Sequence, residues 1–298
     1  MNWDHARVFL AVARAGQMLS AARKLGLDHA TVTRRLTALE ADLGAKVFER
    51  RPSGCTLTAI GEQFLPMAER VESEMLRARA LLGNADLKLE GTVRIGAPDG
   101  FGTYFLASRL ARFAGQHPDL VVQLVPLPRT FSLSKREADI AIILERPQEG
   151  RLFGRKLTDY SLGVYAARSY LDRTGPVEHE ANLADRTLVT YVQDLTYSSG
   201  LDYMGALIEL TARRFECASV VGQLEAIRAG AGLGILHDYA AAACPELVRI
   251  LPAVTFSRTY WLVVHADLRD LRRIAETERF IVDEVRASRG AFVVGSGR

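Results

Sequence analysis

The sequence predicts an α/β chain in three parts: an all-α N-terminal domain (residues 1–60), a long connecting helix (61–90) and a two-lobed α/β domain (91–298). Three observations predict it. A short helix, a glycine turn and a second helix follow one another between Gln17 and Gly44. Apolar residues then recur at steps of four and three from Phe64 to Leu89. From Thr92 onward, short apolar β-type runs alternate with helical stretches almost to the end of the chain, the pattern of sheets covered by helices.

The chain has 298 residues, enough for two or three domains with sizeable cores. Its 48% hydrophobic and 24% charged residues are ordinary for a globular protein. The net charge of +3 is unevenly placed: residues 1–60 hold nine Lys/Arg against five Asp/Glu, so the other 238 residues carry a net −1. The positive charge lies in the part expected to meet an anionic partner. Cys55, Cys217 and Cys244 are far apart and lack zinc-ligand spacing, so free thiols in a reducing, cytoplasmic compartment are expected and no metal site. The apolar run near the start is short and flanked by Arg7 and Arg14, so neither a signal peptide nor a membrane span is expected.

Asn2 to Ala15 reads as a first helix, capped by Asn2 or Asp4, whose Val8, Phe9 and Val12 pack on the two helices that follow. Ser20 to Leu25 reads as the second helix, with Ser20 as its cap and Gly26 as its breaker. Asp28 stands where the third helix needs an N-cap. There Val32, Leu36, Leu39 and Leu43 form one apolar stripe, while Ala30, Thr33, Arg34 and Thr37 face outward, with His29 and Thr31 on the first turn. Two helices around a glycine turn, the second with a small, hydrogen-bonding outer face, describe a helix-turn-helix. Small side chains let that helix enter a major groove, and Arg34 is long enough to reach a phosphate or a guanine. Apolar segments flanking Pro52-Ser53-Gly54 predict a hairpin wing with Arg50 and Arg51 at its edge. The expected DNA-contacting set is Ser20, His29, Ala30, Thr31, Thr33, Arg34, Thr37, Arg50 and Arg51. A helical hairpin with a solvated basic edge would carry the same pattern.

The residues of this stretch also carry a resemblance. Ala21-Ala22, Leu25, Thr33-Arg34, Leu39-Glu40, Leu43-Gly44, Phe48 with Arg50, and Leu57-Thr58 with Gly61 together resemble the DNA-binding domain of LysR-type transcriptional regulators. Gln17, His29 and Thr33 depart from that family's usual Ser, Gln and Ser. The resemblance extends over nearly the whole chain. It implies a winged helix-turn-helix that binds a double-stranded DNA operator, a linker helix that joins two subunits, and a periplasmic-binding-protein-like effector domain.

Phe64, Ala68, Val71, Met75, Ala78, Leu82, Ala85 and Leu89 make a narrow seam along the connecting helix. About 30 residues span about 45 Å, and a single stripe of that length needs a partner. The expectation is a homodimer through this helix, or a homotetramer; the alternative is packing on its own domain. Pro66 should kink the helix.

Strands are expected at Val93–Ala97, Leu120–Val125, Ala138–Leu144, Leu162–Ala166, Thr187–Val192, Leu233–Leu236 and Tyr260–His265. Helices are expected at Tyr104–Gln116, Leu201–Arg213, Gly222–Ala229 and Leu268–Arg286, covering parallel sheets. On the resemblance, the chain crosses between lobes near Leu144–Pro147 and His265–Leu268, so that lobe 1 is about 91–145 with 266–298 and lobe 2 about 146–265. The expected effector-binding residues are Pro98, Asp99 and Gly100 after the first strand, Arg129, Thr130 and Phe131, Glu145 at the crossover, and Tyr191 with Asp194. Asp99 either faces the effector cleft or caps its own helix.

Catalysis is not expected. Gly230-Ala-Gly232-Leu-Gly234 follows a helix and precedes a strand, the reverse of a dinucleotide site. Ser132 and Lys135 match SxxK without its companion motifs, and neither GxSxG nor HExxH occurs. No cofactor is expected. The reading is a ligand-responsive transcriptional regulator; the rival is a small-molecule binding or transport protein, to which the C-terminal two-thirds alone would point.

Overall fold

A computed structural model of the chain describes residues 2–51, 54–82, 89–127, 137–147, 152–201 and 205–293. Two compact units divide it, one essentially N-terminal and one C-terminal.

In the first unit, α1 (Trp3–Ala15) is capped by Asn2, which accepts from the Asp4 amide at 3.0 Å. Gly16 closes it in the left-handed region. That turn leaves Gln17 extended as the residue before α2 (Met18–Leu25). Ser20 is therefore a turn inside α2 and not its cap, because the preceding glycine decides where the chain re-enters a helix. Asp28 does cap α3 (His29–Leu43), accepting from the Thr31 amide at 2.6 Å. Val32, Leu36 and Leu39 are fully buried against Phe9, Leu10 and Val12. The wing forms as β1 (Phe48–Arg51) antiparallel to β2 (Gly54–Leu57).

The helix α4 (Ala59–Leu82) carries Pro66 inside it. Its first two seam residues are not free for a partner. Phe64 and Ala68 are buried in the domain core, with the Phe64 ring 5.0 Å from Phe9. Arg14 of α1 holds α4 in place through a bidentate bond to Glu72 at 2.7 and 3.1 Å. Farther along, Met67, Val71 and Met75 are 56%, 42% and 46% exposed. Ala85 lies outside the described residues.

The second unit is built on one eight-stranded sheet, in the order β4-β3-β5-β10-β6-β9-β7-β8. Its strands are β3 (Gly91–Ala97), β4 (Leu120–Pro126), β5 (Ile140–Ile143), β6 (Leu152–Ala167), β7 (Thr187–Thr190), β8 (Arg213–Glu216), β9 (Leu233–His237) and β10 (Leu247–His265). Its helices are α5 (Asp99–Phe101), α6 (Ala107–Gln116), α7 (Arg168–Thr174), α8 (Gly205–Leu210), α9 (Val220–Arg228), α10 (Asp238–Ala241), α11 (Arg272–Ala287) and α12 (Arg289–Phe292). A π-helical stretch, Gly102–Leu106, joins α5 to α6.

Parallel pairing holds at the two ends of the sheet, where β3 pairs with β4 and β5, and β7 with β8 and β9. It fails in the middle, where β10 runs antiparallel to β5 and β6, and β6 antiparallel to β9. The reason is the length of β6 and β10, 16 and 19 residues, which run through both halves of the domain. Trp261 to Val264 of β10 pair with β5, whereas Leu162 to Ala166 of β6 pair with β9. The change of neighbour thus occurs inside the strands, around the irregularity between Tyr260 and Trp261. Aromatic rings fill this point: Tyr160 stacks on Tyr260 at 4.1 Å, Phe101 lies 4.4 Å from Tyr260, and the Tyr239 and Tyr260 hydroxyls are 3.0 Å apart.

Candidate functional site

The outward face of α3 has the expected make-up. His29, Ala30, Arg34 and Thr37 are exposed, and Thr31 and Thr33 half-buried. The hydroxyls are partly committed. Thr31 donates to Asp28 Oδ2 at 2.8 Å and Thr33 to the His29 carbonyl at 2.9 Å, so both retain only acceptor capacity for a further partner. The adjacent arginines differ. Arg35 turns back to Asp4 at 3.5 Å, whereas Arg34 makes no ion pair among the described residues. Ser20 is half-buried and donates to Gln17 Oε1 at 3.4 Å. Arg50 and Arg51 both belong to the wing and are paired at its surface, Arg50 with Glu40 at 3.4 Å and Arg51 with Glu49 at 2.8 Å.

Glu40 organises this surface, and it was absent from the expected contacts. Its side chain is 3% exposed. It accepts from Lys46 Nζ at 2.8 Å, from the Val47 amide at 3.3 Å and from Arg50, tying α3 to the wing. The signal was present in the spacing: Glu40 is four residues after Leu36 and beside Leu39, on the buried face. A carboxylate there needs donors, and Lys46 and Arg50 follow at six and ten residues. Replacement by alanine leaves the Val47 amide without its partner; we expect a loss of about 1–3 kcal/mol, read as a lower denaturation midpoint for the N-terminal domain. An unchanged midpoint would show that the wing is held by its apolar contacts alone.

The residues after the wing have equally local reasons. Thr58 donates to the Lys46 carbonyl at 2.7 Å and accepts from the Gly61 amide at 3.0 Å, fixing the start of α4 to the wing. A Cβ on Gly61 would stand 2.2 Å from the Val47 carbonyl oxygen, so only glycine fits.

In the second unit a cavity of about 650 Å³ opens at the ends of β5 and β7. Glu145, Tyr191, Tyr197, Ser198, Arg214 and Glu216 are among its lining residues. Of the residues expected at an effector site, Glu145 and Tyr191 lie in this lining, with Ser198 donating to Glu145 at 2.7 Å. Asp194 is exposed on the short turn Gln193–Leu195 and is not part of the lining. Arg129, Thr130 and Phe131 lie outside the described residues. Arg214 and Glu216 were not foreseen, since they belong to β8, an edge strand with all four residues exposed.

Pro98, Asp99 and Gly100 are buried and stand apart from that cavity's lining. Asp99 Oδ2 accepts from Ser219 Oγ at 2.7 Å and from the Val220 amide at 2.8 Å. Its side chain does not cap its own helix. The reading of Asp99 as a cap for its own helix is therefore replaced by a bond to the start of α9. Among the described residues no group of three or more His, Cys, Asp or Glu is placed to hold a metal. No helix there is long and apolar enough to cross a membrane.

Comparison with known proteins matches both units. Residues 3–62 match the family model of the bacterial regulatory helix-turn-helix protein, lysR family, and residues 88–286 that of the LysR substrate binding domain. The transcriptional regulator PtxR of Pseudomonas aeruginosa is 27% identical over 258 residues, 85% of this chain and 82% of that protein. The regulator CrgA of Neisseria meningitidis serogroup C is 24% identical over 291 residues, 95% and 97% of the two chains. A full-length OxyR variant from Pseudomonas aeruginosa shares the fold with a TM-score of 0.70 at 20% identity, covering 96% of this chain and 95% of that one.

Proposed function

The chain belongs to the LysR family of transcriptional regulators, and we propose that it reads its operator with the exposed face of α3 and adjusts that binding through a small molecule held in the C-terminal domain. The observation that carries the DNA assignment is the contrast between Arg34 and Arg35: one guanidinium is tied to α1, the other is exposed on the small-residue face. His29, Ala30 and Thr37 flank Arg34 on that face, and Arg50 and Arg51 of the wing supply charge for the phosphate backbone. Arg34→Ala should weaken operator binding by about 1–3 kcal/mol at fixed salt and leave domain stability unchanged, since Arg34 is off the buried stripe. Equal affinity in a titration with labelled operator DNA would remove Arg34 from the interface.

The effector site is the cavity at Glu145, Tyr191 and Ser198. Two carboxylates, Glu145 and Glu216, one guanidinium, Arg214, and the hydroxyls of Tyr191, Tyr197 and Ser198 line it, a set suited to a small polar molecule that carries an amine or several hydroxyls. Two subunits pair along α4 through Met67, Val71 and Met75, which the domain's own core leaves exposed. Such a protein works in the cytoplasm, beside the DNA it regulates.

A further inference from the structure

Two helix starts meet in the C-terminal domain. The helical run that follows β3 begins at Asp99, and α9 begins at Val220 behind its N-cap, Ser219. They touch: a Cβ on Gly100 would stand 3.0 Å from Val220 Cγ1. Helix starts present unpaired amides and positive dipole ends, and a carboxylate between them is favoured. Asp99 supplies it. The side chain is 5% exposed, and one of its oxygens holds both the Ser219 hydroxyl and the first amide of α9. Among the described residues no Lys, Arg or His forms an ion pair with it. An ordinary N-cap comes from the residue at the helix's own start, and Ser219 already fills that place. Asp99 reaches α9 from 120 residues away in sequence. It also comes from the β3 end of the sheet, whereas α9 leads into β9, across the long strands β6 and β10.

We propose that Asp99 is a resident anion: its carboxylate occupies the anion-binding position at the start of α9, holds the two halves of the domain together without a ligand, and shuts free carboxylates out of that position. The two halves are joined by continuous strands, so a single buried bond of this kind sets how closely their helix starts approach. The proposal concerns a position apart from the Glu145 cavity and holds whether or not that cavity takes the effector.

The test uses the full chain, with formate as probe, because Asp99→Ala removes a group of formate's size and charge. In Asp99→Ala the melting temperature should fall and the Val220 amide should exchange with deuterium faster. Formate at millimolar concentrations should reverse both effects saturably, while sodium chloride at matched ionic strength should not, and the unsubstituted protein should not respond to formate. Adding Ser219→Ala should abolish the reversal. A variant that melts and exchanges like the parent, or one that formate does not restore, overturns the proposal. Should Asp99→Ala fail to fold, Asp99→Asn keeps an acceptor oxygen and drops the charge. Partial loss of Val220 protection then supports the resident anion, and full protection refutes it.

Discussion

Between pH 6.5 and pH 4 the C-terminal domain is expected to lose about 3 kcal/mol of stability through one side chain, His237. Its ring ends β9, 5% exposed, and stacks on Tyr160 at 5.2 Å. Burial pushes its pKa down from 6.5 to about 4, because an imidazolium there would be stripped of water. Its Nδ1 is buried without a hydrogen-bond partner among the described residues. The sign follows from proton binding. In this window the unfolded chain holds a proton on His237 and the folded chain does not, so acid favours unfolding. The contribution is fully present above pH 6.5 and is lost as pH falls toward the folded value of about 4. A shift of this size corresponds to about 3 kcal/mol. The Asp28 carboxyl, held below its ordinary 3.8 by the Thr31 amide and hydroxyl, acts in a lower window and in the other unit. Replacement of His237 by phenylalanine keeps a ring against Tyr160 and removes the proton site. Denaturation midpoints between pH 4 and 7 should then vary less steeply in the variant than in the parent. Parallel pH profiles would mean that His237 binds its proton equally in both states.

How much of this molecule was legible beforehand depends on the range of the interaction. The N-terminal domain was read well because its determinants are local: the stripe Val32, Leu36, Leu39, the cap at Asp28 and the glycines at 26 and 44 each act within one or two turns. Ser20 misled because its taste for helix starts says nothing of where Gly16 ends the helix before it. The long strands β6 and β10 were half seen. Arg155, Lys156 and Asp159 break the apolar run of β6, and their charges reach solvent from an otherwise regular strand. Edge strand β8 carries no apolar alternation to reveal it, and with it Arg214 and Glu216 of the cavity were missed. Asp99 shows the limit most clearly. Its position after the first strand was predictable, but its partners arrive 120 residues later, and no spacing rule links them.

The seam of α4 shows a different ambiguity, and the largest expected change in assembly follows from it. A heptad stripe states that a helix face is covered, not by which chain. Phe64 and Ala68 are covered by α1 of the same chain, and Arg14 with Glu72 fixes that contact. Met67, Val71 and Met75 advance by four residues at each step, on a line that the core leaves exposed. In a symmetric pair this stripe of one subunit meets the same stripe of the other. Substituting Val71 and Met75 together by glutamate removes four apolar side chains from the pair, worth roughly 1.5–3 kcal/mol each when fully buried. It also sets four carboxylates against one another. The loss is on the order of 6 kcal/mol or more, at least 10⁴-fold in the dissociation constant, so a nanomolar dimer becomes monomeric at micromolar concentration. The monomer itself should keep its fold, because both positions face solvent within one chain. Sedimentation velocity should therefore show half the parent's mass with unchanged far-ultraviolet circular dichroism. Operator affinity should fall with it, since two heads no longer bind as a linked pair. A variant that sediments as the parent does would mean that the subunits meet elsewhere and that this stripe of α4 is bare in the assembled protein as well.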